Sequence, residues 1–230
     1  RMARALSHRG EVVHFDEGAG HAVASAKPLA TPLLLLDGAP RDEGGKPMGT
    51  EAFAKALEQI RRGEGTALRG SFAAACQETG RHWVLLRDRL GSRPLYYYAG
   101  PGFLLFASEL KALLAGGIVD RVLNLASVDR YLTLRCVPGA DSILQGVCRV
   151  QPGHIVEYDG REPKESRFAG FEEGTERIRR EGAAKRVRKL LGEAVERANT
   201  NALLWSAGID CAAIAAMADA PSPLFVQLQR

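Results

Sequence analysis

The hydrophobic pattern of this chain is densest between Val84 and Leu114, and its rhythm changes within that stretch. Trp83-Val84-Leu85-Leu86 is a solid apolar run that stops at the charged pair Arg87-Asp88, which predicts a short strand. Gly91 and Pro94 punctuate the next connection, and Leu95-Tyr96-Tyr97-Tyr98 is aromatic and strand-prone. Gly100-Pro101-Gly102 turns the chain, and Phe103-Leu104-Leu105-Phe106 returns as a third strand. Ser108 stands where a helix N-cap belongs, ahead of Leu110, Leu113 and Leu114 on one helical face. The pattern is a meander of strands running into a helix.

Around this stretch the same reading supplies the remaining elements. Arg1 to Leu6 reads as the end of a helix closed by Gly10. Phe53, Ala56, Leu57 and Ile60 fall at helical spacing before Gly63, and Leu68 through Ala75 reads as a strand with Phe72 in the core. Ile155 to Tyr158 is another strand. Residues 161–176 are rich in Gly, Pro and charge, which suits a linker between a first domain at 1–160 and a second beginning at 177. In that second part Ala184, Val187, Leu190, Leu191, Ala194 and Val195 mark the apolar side of a helix. Asn201 to Met217 then reads as a buried strand, a tight loop and a small-residue helix, with Leu224-Phe225-Val226-Gln227-Leu228 as a second strand.

Composition changes this picture little. A chain of 230 residues with 46% hydrophobic and 25% charged residues can bury one sizeable core and part of another. The net charge of +4 is mild, and the basic run from Arg177 to Arg197 has glutamates interleaved, so it reads as a solvated helix face and argues against nucleic acid. Cys76, Cys136, Cys148 and Cys211 are widely spaced, with neither metal-ligand spacing nor a disulfide framework; isolated thiols in a reducing cytoplasm are the expectation. No apolar segment approaches the length of a membrane span, and no signal-peptide core opens the chain.

Two motifs in order carry a family resemblance. Arg87-Asp88-Arg89-Leu90-Gly91-Ser92-Arg93-Pro94-Leu95-Tyr96, followed by Ala107-Ser108-Glu109-Leu110-Lys111-Ala112-Leu113, resembles the glutaminase domain of asparagine synthetases. His8-Arg9-Gly10, Leu68 to Ala75 and Val150-Gln151-Pro152-Gly153-His154 extend the similarity. The resemblance implies an Ntn-type fold, an αββα sandwich of antiparallel sheets, followed by the start of a parallel-sheet, PP-loop ATP-pyrophosphatase domain. His154 is read as a turn residue and not as a base.

The same resemblance exposes departures at the chemistry. Active relatives begin with a cysteine whose own amino group activates the thiol. Seven residues precede His8 and none is cysteine. Either a natural N-terminal segment is missing, or this homologue has no nucleophile. The family's N-G-E motif, whose asparagine and glycine N–H form the oxyanion hole, is here Asp37-Gly38-Ala39. Lys27 alone stands near the expected glutamine-binding arginine, and it cannot grip a carboxylate bidentately. The family's G-S-D motif has become Gly49-Thr50-Glu51, with Glu51 a candidate displaced carboxylate. Asp37, Gly38 and Glu51 are therefore read as remnants of a glutamine site, and the first domain is expected to lack glutaminase activity.

Ser206-Ala207-Gly208-Ile209-Asp210-Cys211 resembles the L-S-G-G-x-D-S loop with which the synthetase domain binds ATP. Glycines let backbone N–H groups wrap a pyrophosphate, and hydroxyls add donors. Ser206, Gly208 and Asp210 are kept; Ala207 adds a methyl, and Cys211 offers a weaker donor. The resemblance implies Ser206, Gly208, Ile209, Asp210 and Cys211 as ATP-binding residues, ATP and magnesium as cofactors, and a carboxylic acid or amino acid as substrate. It also implies a homodimer, or a partner supplying the missing synthetase part, because 13 residues follow Met217. A decayed glutaminase is a feature of the β-lactam synthetases and lasso-peptide cyclases of this superfamily, in which the adenylated carboxylate meets an amine of the same substrate. A non-catalytic scaffold and a glutamine-dependent asparagine synthetase lacking its Cys segment are the alternatives.

Overall fold

The computed structural model describes residues 2, 14–18, 21–25, 33–64, 68–77, 82–171, 174, 176–198, 202–206, 208–218 and 222–225. They belong to two compact units, 1–171 and 172–230. The features expected at residues 1 and 3–10, at Lys27, at Ala207 and at residues 226–228 lie outside the described residues.

The first unit opens with a hairpin, β1 (His14–Gly18) and β2 (His21–Ser25). β3 (Leu34–Arg41), α1 (Thr50–Arg61), β4 (Arg69–Gln77) and β5 (Trp83–Arg87) follow. Next come β6 (Tyr96–Gly100), β7 (Phe103–Ala107), α2 (Leu110–Ala115) and α3 (Leu125–Leu134). β8 (Cys148–Arg149), β9 (His154–Tyr158) and β10 (Lys164–Arg167) complete the unit. The strands form a five-stranded antiparallel sheet in the order β10-β9-β5-β4-β3 and a three-stranded one in the order β7-β6-β8.

Alternation along the strands explains how these sheets layer. Leu34, Phe72, Ala74, Cys76, Val84, Leu86 and Ile155 join Phe53, Ala56, Leu57 and Ile60 of α1 in one core cluster. The intervening residues Ala73, Ala75, Trp83, Leu85 and Val156 face Leu95 of the crossing and Tyr97, Leu104 and Phe106 of the other sheet. Tyr96, Tyr98 and Leu105 point the opposite way, toward Ala112 and Leu113 of α2. Helix, sheet, sheet and helix are thus stacked as the αββα expectation requires. Phe53 meets Phe72 edge-on with centroids 5.5 Å apart, and Trp83 meets Phe106 across the sheets at 5.0 Å.

The sequence spacing is recovered in α1, whose buried residues are Phe53, Ala56, Leu57 and Ile60. β5 reads as a solid apolar run because both its faces are covered. The meander, however, does not close as one sheet. β5 pairs with β4 and β9, while β6 and β7 belong to the second sheet. The segment 88–95 is therefore a crossing between layers, not a hairpin turn. Ser108 does not cap α2 either. β7 runs through Ala107, Ser108 and Glu109 make the bend, and Glu109 holds the cap position with φ −141° and no side-chain cap bond. The expected linker is also shorter than 161–176, because Lys164–Arg167 pairs with β9 as the edge of the large sheet.

Two buried charges hold the crossing. Asp88, 1% exposed, accepts from the Phe72 N–H at 3.1 Å, the Leu90 N–H at 2.9 Å, the Ser92 N–H at 2.9 Å and the Ser92 hydroxyl at 3.2 Å. Its backbone carbonyl accepts from Gly91 and Gly153, each at 2.9 Å. Arg87, 6% exposed, donates to the carbonyls of Arg93 at 2.5 Å, Val150 at 2.9 Å and Gly91 at 2.5 Å. Gly91 fits because its φ is +63° and a Cβ there would stand 2.8 Å from the Pro152 ring. Burial, first, and the neighbouring Arg149 push the Arg87 guanidinium below its usual range, against the pull of Asp88.

The second unit holds α4 (Arg180–Ala198), β11 (Ala202–Trp205), α5 (Ile209–Ala215) and β12 (Ser222–Phe225). β11 and β12 are parallel, so strand, helix and strand make one crossover unit. β11 is not the buried strand that its sequence suggests, since Leu204 is 66% exposed. No residue of α4 is buried, and Val187 and Leu190 on its apolar stripe are 62% and 52% exposed. Parallel strands normally carry cover on both faces, and among the described residues β11 does not.

Asp88→Ala leaves three backbone donors and the Ser92 hydroxyl without their acceptor and removes the opposite charge beside Arg87, and its expected cost is about 3–5 kcal/mol of stability in urea unfolding. Asp88→Asn should recover less than half of this, because both carboxylate oxygens accept and an amide nitrogen would face a donor.

Candidate functional site

β3 carries Asp37 and Gly38 at its centre, opposite Ala73 and Phe72 of β4. The Gln77 N–H donates to the Leu33 carbonyl at 2.9 Å, which fixes the ladder parity. Odd positions of β3 turn their backbone groups toward β4, and even positions turn theirs outward. The Pro40 carbonyl accordingly accepts from the Met48 N–H, on the outer side, at 3.0 Å. Gly38 therefore presents its N–H along the outer side of the strand, away from β4, with φ +103°. A Cβ there would lie 2.1 Å from the Ser71 carbonyl oxygen, so only glycine fits.

Side chains alternate independently of those backbone groups. Asp37 shares the face of Leu33, Leu35 and Ala73, which looks toward the second sheet. There its Oδ1 lies 3.8 Å from the Arg93 guanidinium, with the two side chains 29% and 43% exposed. A pair that loose and that wet contributes below about 1 kcal/mol. Glu51 sits in the first turn of α1, the helix packed on the opposite face of the same sheet. The structure does not bring Asp37 and Glu51 into one site.

Glu51 instead rims a cavity of about 260 Å³ beside β3, lined by Leu34, Ala54, Leu57 and Cys76 with Thr50, Glu51 and Lys55. His154 is not the turn residue that the sequence suggests: the turn is Pro152-Gly153, and His154 opens β9 opposite Arg167, with Nδ1 2.8 Å from the Pro152 carbonyl oxygen. Arg93 was missed by sequence reasoning. Its place in the Arg87-to-Tyr96 motif offers no signal, because only the crossing of the layers carries it over to Asp37.

The loop after β11 sets Ser206 Oγ 3.2 Å from Cys211 Sγ. Gly208 caps α5 in an extended conformation, and Ile209, Asp210 and Cys211 form its first turn. Ser206, Gly208, Asp210 and Cys211 are thus brought together, while Ile209 is 85% exposed. Hydrogen bonds from Ser206 hold the Cys211 thiol below its usual range. In the first unit burial does the reverse, pushing the thiol of Cys148 and the phenol of its neighbour Tyr97 upward. Among the described residues no group of three or more His, Cys, Asp or Glu could hold a metal ion, and no helix is long and apolar enough to cross a membrane.

Comparison with known proteins adds to this geometry. Residues 47–169, which run from α1 through β10, match the family model of the glutamine amidotransferase domain. Amidase chyE of Penicillium rubens is 29% identical over 160 residues, covering 65% of this chain and 23% of that protein. A putative asparagine synthetase [glutamine-hydrolyzing] 2 of Methanocaldococcus jannaschii is 32% identical over 75 residues, covering 32% of this chain and 15% of that protein. The matches thus span less than a quarter of either relative's length. Among solved structures, the allosteric regulatory enzyme of purine biosynthesis is 16% identical with a TM-score of 0.34, over 84% of this chain and 44% of that one. The glutamine phosphoribosylpyrophosphate amidotransferase from B. subtilis is 16% identical with a TM-score of 0.33, over 86% and 48%. At that level neither structure places a residue of this chain.

Because Ser206 stabilises the Cys211 thiolate, Ser206→Ala should move the pH profile of Cys211 alkylation upward and slow labelling at neutral pH. Peptide mapping by mass spectrometry reads this directly, with the exposed Cys136 as the unchanged reference.

Proposed function

Because the chain belongs to the glutamine amidotransferase domain family, we propose that it is part of an asparagine-synthetase-like, ATP-dependent amide-forming ligase whose glutaminase unit no longer hydrolyses glutamine. Asp37 carries this reading. Glutamine hydrolysis builds negative charge on an oxyanion that needs donors around it. A carboxylate beside the Gly38 N–H opposes that charge, and Arg93 at 3.8 Å is too loosely held to cancel it. Glu51 belongs to the helix on the other face of the sheet, so it does not restore a substrate-binding pair with Asp37.

The chemistry then rests on the second unit. A carboxylate oxygen of the substrate attacks the α-phosphorus of ATP, and pyrophosphate leaves. An amine nitrogen attacks the acyl carbon, AMP leaves, and the nitrogen gives up a proton. Ser206 and the backbone around Gly208 would donate to the phosphates, at the start of a strand–helix–strand crossover that suits this use. Asp210 is the loop's one carboxylate, in keeping with magnesium bound chiefly through phosphates and one or two acids. The weak likeness to a putative asparagine synthetase supports the reaction class. A carboxylic acid or amino acid is the substrate, and the amine is its own or ammonia.

The test uses the longest gene product and measures ATP–pyrophosphate exchange over a panel of carboxylic acids, beside glutamate release from glutamine. Exchange with at least one acid and no glutamate release is the expected result. Absence of exchange together with absence of ATP binding by calorimetry would leave a non-catalytic scaffold. Glutamate release would overturn the reading of Asp37 and restore glutamine-dependent synthesis.

A further inference from the structure

We draw no further inference here: the strongest candidate, the exposed apolar patch on and just before α3 that holds Ile118, Val122, Leu123, Leu125, Leu132 and Leu134, is an unpartnered face, and nothing in the structure shows what covers it.

Discussion

The carboxylate of Asp88 and the guanidinium of Arg87 set the layering on which the rest of the first unit depends. Between β5 and β6 the chain must leave one sheet and enter another, which strands a series of backbone groups between two cores. Asp88 collects the donors, from β4, from its own loop and through its carbonyl from Gly153, while Arg87 collects the acceptors. The two side chains perform for this crossing what hydrogen-bonded ladders perform for the strands. Burying a charge is costly, and here each oxygen of Asp88 accepts twice and each guanidinium nitrogen of Arg87 donates. With the crossing fixed, the second sheet lies over the first and Trp83 meets Phe106.

That rigid frame also bears on the proposed loss of glutamine hydrolysis. In the proposed reading Asp37 stands where the resemblance expects an amide donor, while Gly38, Phe72 and the sheet register are held by the frame. Asp37 faces the space between the sheets, and Glu51 stands on the helix that covers the other side. On that proposal, one residue changes the sign of a site without touching the fold around it. In the second unit, Ser206, Gly208, Asp210 and Cys211 remain neighbours, and the electrostatic change there is milder: a thiol, drawn toward its anion by Ser206, stands where a hydroxyl is expected.

Local periodicity made several elements legible in advance. Phe53, Ala56, Leu57 and Ile60 face the core as their spacing requires, and Trp83 to Leu86 is a central strand because nothing polar interrupts it. What escaped was non-local. No spacing rule distinguishes a turn between paired strands from a passage between layers, so the split of β5 from β6 was invisible. Lys164 to Arg167 looked like linker because an exposed edge strand has no apolar alternation to show. The stripe on α4 was real, but periodicity says only which side of a helix seeks cover, not whether cover is present. The opposite-face placement of Asp37 and Glu51 follows from sheet parity, which a motif comparison does not contain.

Gly38 bears on how such chains are recognised. Its left-handed backbone, with the Ser71 carbonyl oxygen 2.1 Å from where a Cβ would stand, excludes every other residue on steric grounds alone. That requirement belongs to the backbone and not to any reaction, so a glycine at this position reports the architecture of the sheet and is silent on whether glutamine is hydrolysed.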